Sequence, residues 1–118
     1  MDERLAKLSA DIQTFCSERD WEQFHNPKNL AIAISVEASE LLEIFQWLTP
    51  EQSHHLSQTQ KAEARDELGD VLICLLNFAH RLGCDPLEAA EQKLEKIKAK
   101  YPIEKAKGLA KKYNELDQ

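Results

Sequence analysis

Residues 26–48, NPKNLAIAISVEASELLEIFQWL, carry the pattern of one long helix. Asn26 can cap it and Pro27 suits the first helical position. Leu30, Ile34, Leu41, Ile44 and Leu48 then recur by steps of three, four or seven, which keeps them on one packing face. Glu37 falls inside that stripe, between Ile34 and Leu41. Glu40 lies along its edge, and Glu43 is one step further round, towards solvent. A carboxylate on an apolar face is costly unless it is paired, protonated or bound to metal.

Outward from this helix the chain stays helical. On the N-terminal side, Leu5, Leu8, Ile12 and Phe15 mark a first helix over 3–19, followed by an aromatic-rich connection from Trp21 to His25. On the other side, Thr49-Pro50-Glu51-Gln52 is a second helix start with capping-box partners, and a polar stretch follows through Gln58. A third long helix spans about Thr59 to Leu82 and stops at Gly83. Asp85-Pro86-Leu87-Glu88 opens a fourth, which ends at Tyr101 before Pro102; a further turn and a polar tail complete the chain. Short connections imply antiparallel neighbours, so the expected fold is all-α: an antiparallel helical bundle of about four main helices, one domain over 1–118.

The third helix supplies a second acidic pair. Leu68, Val71, Leu72, Leu75, Ala79 and Leu82 form its main stripe, and Glu67 and Asp70 share a face beside it, continued by Cys74. From Val71 to Ala79 only Asn77 is polar, so this half of the helix is expected to meet another subunit. Two carboxylates on adjacent turns repel each other, and a divalent cation between the two pairs resolves both the repulsion and the burial. Oxygen-only ligands suit Mg²⁺, with Mn²⁺ as a substitute. A di-iron bundle would need Glu-x-x-His, which neither pair has. The same spacings also occur on solvated helices, where the acids would make ordinary salt bridges in a non-catalytic interaction module.

Composition agrees with helix. The 118 residues include only 3 Gly and 4 Pro. The net charge of −6 argues against non-specific nucleic-acid binding, because phosphates need Lys and Arg. Cys16, Cys74 and Cys84 form no CxxC and read as free thiols of a reducing cytoplasm. The charged N-terminus is not a signal peptide, and the apolar run from Val71 to Ala79 is too short to span a bilayer.

Taken together, ExxE at Glu37–Glu40 and ExxD at Glu67–Asp70 resemble the MazG-like members of the all-α NTP pyrophosphatase superfamily. Residues 18–30, ERDWEQFHNPKNL, resemble the segment before the first acidic helix in dCTP pyrophosphatases, and Phe45-Gln46-Trp47 closes that helix similarly. Residues 93–102, KLEKIKAKYP, resemble the family's Lys-rich fourth helix, and KKYNEL follows near the C-terminus. One departure is Ile97, where family members often carry Asn.

The resemblance implies hydrolysis of a nucleoside triphosphate to monophosphate and pyrophosphate, as nucleotide-pool house-cleaning, by a homodimer or dimer of dimers. It further implies dCTP or a modified dCTP as substrate; dUTP or a phosphoribosyl nucleotide is the alternative. Glu37, Glu40, Glu67 and Asp70 would hold Mg²⁺, with Glu40 or Glu43 as general base. Lys93 and Lys96, on one face with Lys100, are the phosphate contacts it points to. Trp21, His25 and Trp47 are candidates for the base, since aromatic faces stack on nucleobases, and Tyr101 is a further substrate contact.

Overall fold

A computed structural model of the chain describes residues 1–117. Every element among them is helical: α1 (Glu3–Glu18), α2 (Pro27–Phe45), α3 (Pro50–Ser53), α4 (Gln58–Leu82), α5 (Pro86–Lys100) and α6 (Ile103–Ala106), with 3₁₀ turns at Glu22–Phe24 and Tyr113–Glu115.

The helix ends follow the local chemistry. Asp2 accepts from the Arg4 and Leu5 amides, Asn26 from that of Asn29, and Asp85 from those of Leu87 and Glu88. Thr49 and Gln52 close the expected capping box. A second box, Ser57 with Gln60, starts α4 at Gln58, at the end of the polar stretch. Each cap satisfies amides that the first turn leaves without partners. Gly83 ends α4 in the left-handed region at φ 78°, which glycine enters without a Cβ clash. α2 stops at Phe45, short of the expected Leu48.

The chain divides into two compact units, with the sequence boundary between Cys84 and Asp85. In the first, α2 and α1 both pack on α4. Leu30 and Ala33 share a cleft with Cys74 and Asn77, whereas Glu43 and Ile44 share a pocket with Glu63. Later residues of α2 thus lie beside earlier residues of α4, and the two helices run antiparallel. The core is small: Ile12, Cys16 and Leu76 cluster, with Leu5 packed against them, and Leu30 and Ala79 are also buried. In the second unit, the Tyr113 amide donates to Tyr101 Oη at 3.1 Å and their rings meet edge to face.

Two expected faces are corrected. On α1 the buried pair is Ile12 and Cys16, while Leu8 and Phe15 are exposed. On α4 most of the expected main stripe faces outward: Leu68 is 62% exposed, Leu72 41%, Leu75 42% and Leu82 57%. Ala79 of that stripe is buried, and Leu76 and Asn77 share the inner face with it. A helix that is apolar nearly all round does not reveal which stripe packs within its own chain.

Candidate active site

Glu37 and Glu40 project from successive turns of α2, and Glu67 and Asp70 from successive turns of α4. Because the helices pair antiparallel, the two pairs face one another at mid-length. One carboxylate oxygen from each of the four residues lies within 4.8 Å of the others. Glu37 and Glu67 are half-buried, and Oε2 of each is buried without a hydrogen-bond partner. Among the described residues, no Lys or Arg forms an ion pair with any of the four.

Convergence without a counter-charge raises the proton affinity of the two half-buried acids, Glu37 and Glu67. Burial pushes the Glu37 carboxyl up, and Glu40 and Asp70 add to the rise. Burial likewise raises Glu67, with Glu40, Asp70 and Glu37 contributing. Orphaned buried oxygens, mutual repulsion and an all-oxygen donor set fit a hard divalent cation. They do not fit a surface salt-bridge network, which would need bases nearby.

These shifts fix a sign for the metal-free protein. Both groups bind protons more readily folded than unfolded. The stability they contribute is complete below their ordinary value of 4.5 and is lost as pH rises through their raised values. Calorimetry without metal should show the melting temperature falling by several degrees as pH rises from mildly acidic to neutral. Mg²⁺ should reverse the fall, and Glu37→Gln should flatten the slope. A melting temperature indifferent to both would count against the cluster.

Glu43, Trp21 and His25, in the same unit, line pockets near this cluster. Glu43 lines an open pocket of about 430 Å³ with Glu40, Ile44, Glu63 and Glu67. Glu63, four residues before Glu67, went unread in the sequence although that spacing puts both on one face. At the other end, a mostly apolar cleft of about 380 Å³ is lined by Trp21 and His25, with Ile12, Leu30, Cys74 and Asn77 among its walls. The Trp21 ring meets Phe15 at 5.5 Å and His25 at 6.4 Å, both edge to face. Cys74, one turn beyond Asp70, joins cleft and cluster; burial raises its thiol, with Glu37 and Asp70 adding.

Trp47 is not brought to this cleft. It is 86% exposed, beyond the opposite end of α2 from Leu30. Lys93 and Lys96 are exposed on α5, and Tyr101 at its end is engaged with Tyr113; all three belong to the second unit. Ile97 is 40% exposed on the same helix. Asn77, the polar residue in the run from Val71 to Ala79, is buried within its own chain. Its Oδ1 accepts from Gln13 Nε2 at 3.0 Å, and its Nδ2 lies 3.2 Å from His25 Nδ1. A lone Asn in an apolar run was the available signal; Gln13 gave none.

Known proteins resemble this chain in sequence and in fold. Residues 32–116 match the MazG-like family. The chain is 38% identical to dCTP pyrophosphatase 1 of Bos taurus over 97% of its own length and 67% of the relative's. For dCTP pyrophosphatase 1 of Homo sapiens the identity is 39%, over 97% of this chain and 66% of the relative. The chain thus spans about two thirds of the length of these relatives. A crystal structure of a pyrophosphatase from Archaeoglobus fulgidus superposes with a TM-score of 0.81 at 38% identity, covering 86% of this chain and 95% of that one. The family match takes in both acidic helices and most of the chain, and an all-helical structure of the same fold stands behind it: this chain belongs to the MazG-like family.

Proposed function

We propose that the chain hydrolyses dCTP, or a cytosine-modified dCTP, to the monophosphate and pyrophosphate with Mg²⁺. It is a nucleoside triphosphate pyrophosphohydrolase, as its family and its relatives' activity support. The observation that carries the reading is the convergence of Glu37, Glu40, Glu67 and Asp70 with two buried oxygens lacking partners.

These four residues would hold Mg²⁺. When bound, the cation supplies charge neutralisation for the triphosphate and polarisation of the phosphorus under attack. The chain's residues supply the rest. Glu40 or Glu43 takes the proton of the attacking water, whose oxygen bonds to phosphorus as the α–β anhydride breaks and pyrophosphate departs. Trp21 and His25 offer ring faces to the base at the cleft. Lys93, Lys96 and Tyr101 contribute to holding substrate, and Trp47, which lies away from this cleft in its own chain, contributes to base binding from a second chain of the oligomer.

We read residues 1–118 as one functional domain, since the family match runs across both compact units. The protein acts as a homodimer or a dimer of dimers, with the outward leucines of α4 buried between chains. No helix among the described residues is long and apolar enough to cross a membrane. The proposed setting is the cytoplasm and the role nucleotide-pool house-cleaning.

A nucleotide panel with Mg²⁺ tests the reaction. Pyrophosphate should be the first product, with dCTP or 5-modified dCTP preferred over dUTP and purine nucleotides. Orthophosphate as the first product would contradict the assigned bond.

A further inference from the structure

Asn77 is a buried polar side chain at the wall of a mostly apolar cleft, 5% exposed. Its amide carries two N–H donors and an oxygen with two lone pairs. Gln13 Nε2 occupies one lone pair, and the contact to His25 Nδ1 uses one N–H. One acceptor and one donor position are left, and leaving these unmatched in a buried wall is costly. Gln13 and His25 together also bias which way the amide points, since turning it over requires Gln13 to turn as well and His25 to carry its ring proton on Nδ1.

The geometry assigns Asn77 as a specificity-determining residue that reads the donor–acceptor edge of a pyrimidine, with Gln13 as its positioning residue. This rests on the proposed function, in which the cleft takes the base of a nucleotide. Asn77 lies seven residues beyond Asp70, about 10 Å along α4, which leaves room for a sugar between base and phosphates. Cytosine presents an amine donor beside a ring-nitrogen acceptor. Uracil presents a carbonyl acceptor beside a ring N–H. An amide held in one orientation matches one order and sets like groups against the other. The substrate proposed here makes cytosine the matched base.

The test is kcat/KM for dCTP and dUTP in wild type, Asn77→Ala and Gln13→Leu, each checked for helical content and Mg²⁺ binding. Asn77→Ala should lower kcat/KM for dCTP by roughly tenfold to a hundredfold, mainly through KM. It should change dUTP little, so that the preference collapses. Gln13→Leu keeps Asn77 but frees its amide to turn, and should erode the preference while leaving kcat for dCTP near wild type. Folded variants that keep the wild-type dCTP:dUTP ratio would overturn the assignment. Wild-type protein that hydrolyses neither nucleotide would instead overturn the catalytic reading. Calorimetric titration of dCMP against dUMP would then decide Asn77 by itself: a preference lost in Asn77→Ala supports the assignment, and equal binding refutes it.

Discussion

Glu37→Gln is expected to reduce pyrophosphate release by about a thousandfold or more while the helices stay folded. The substitution keeps the shape of the side chain and removes its charge. Glu37 lies on the packing stripe of α2, and one of its oxygens is buried without a partner. If the residue served only structure, neutralising it would relieve repulsion from Glu40 and Asp70, and the protein would be more stable and otherwise unchanged. Both effects are expected at once: greater stability without metal, and loss of turnover with Mg²⁺ present. Glu67→Gln should behave alike, because its surroundings on α4 mirror those of Glu37. Full activity in either variant would remove that residue from the site.

The second large effect concerns assembly. Leu68→Glu with Leu75→Glu should convert the proposed oligomer to monomer. Both side chains are exposed, 62% and 42%, so neither holds the single chain together. They are seven residues apart on α4 and therefore share a face. Burying a leucine is worth about 1.5–3 kcal/mol, so losing two weakens association by roughly 10²- to 10⁴-fold, before the cost of the introduced charges. Sedimentation velocity reads the result directly. A wild-type monomer, or a double variant of unchanged mass, would contradict the assembly.

The sequence made the acidic pairs legible because their signal is a conflict: Glu37 interrupts an apolar stripe that would be continuous without it. Helix starts were legible wherever a cap residue stood before Pro, as at Asn26-Pro27, Thr49-Pro50 and Asp85-Pro86. Ser57 with Gln60 lacks the proline, and its capping box was missed. The inner face of α4 was not legible, since Leu72, Leu75, Leu76 and Ala79 offer two stripes of equal quality. Nor was the Asn77 contact set. Its partners Gln13 and His25 lie 64 and 52 residues away in the chain, and only the packing of α1 and the loop before α2 on α4 brings them together.

Manganese-soaked crystals offer the most direct measurement. Their anomalous difference map should contain a peak bonded to carboxylate oxygens contributed by both α2 and α4, from among Glu37, Glu40, Glu67 and Asp70. It should vanish in Glu37→Gln crystals. A map without density there, or manganese bound only at other surface carboxylates, would contradict the account.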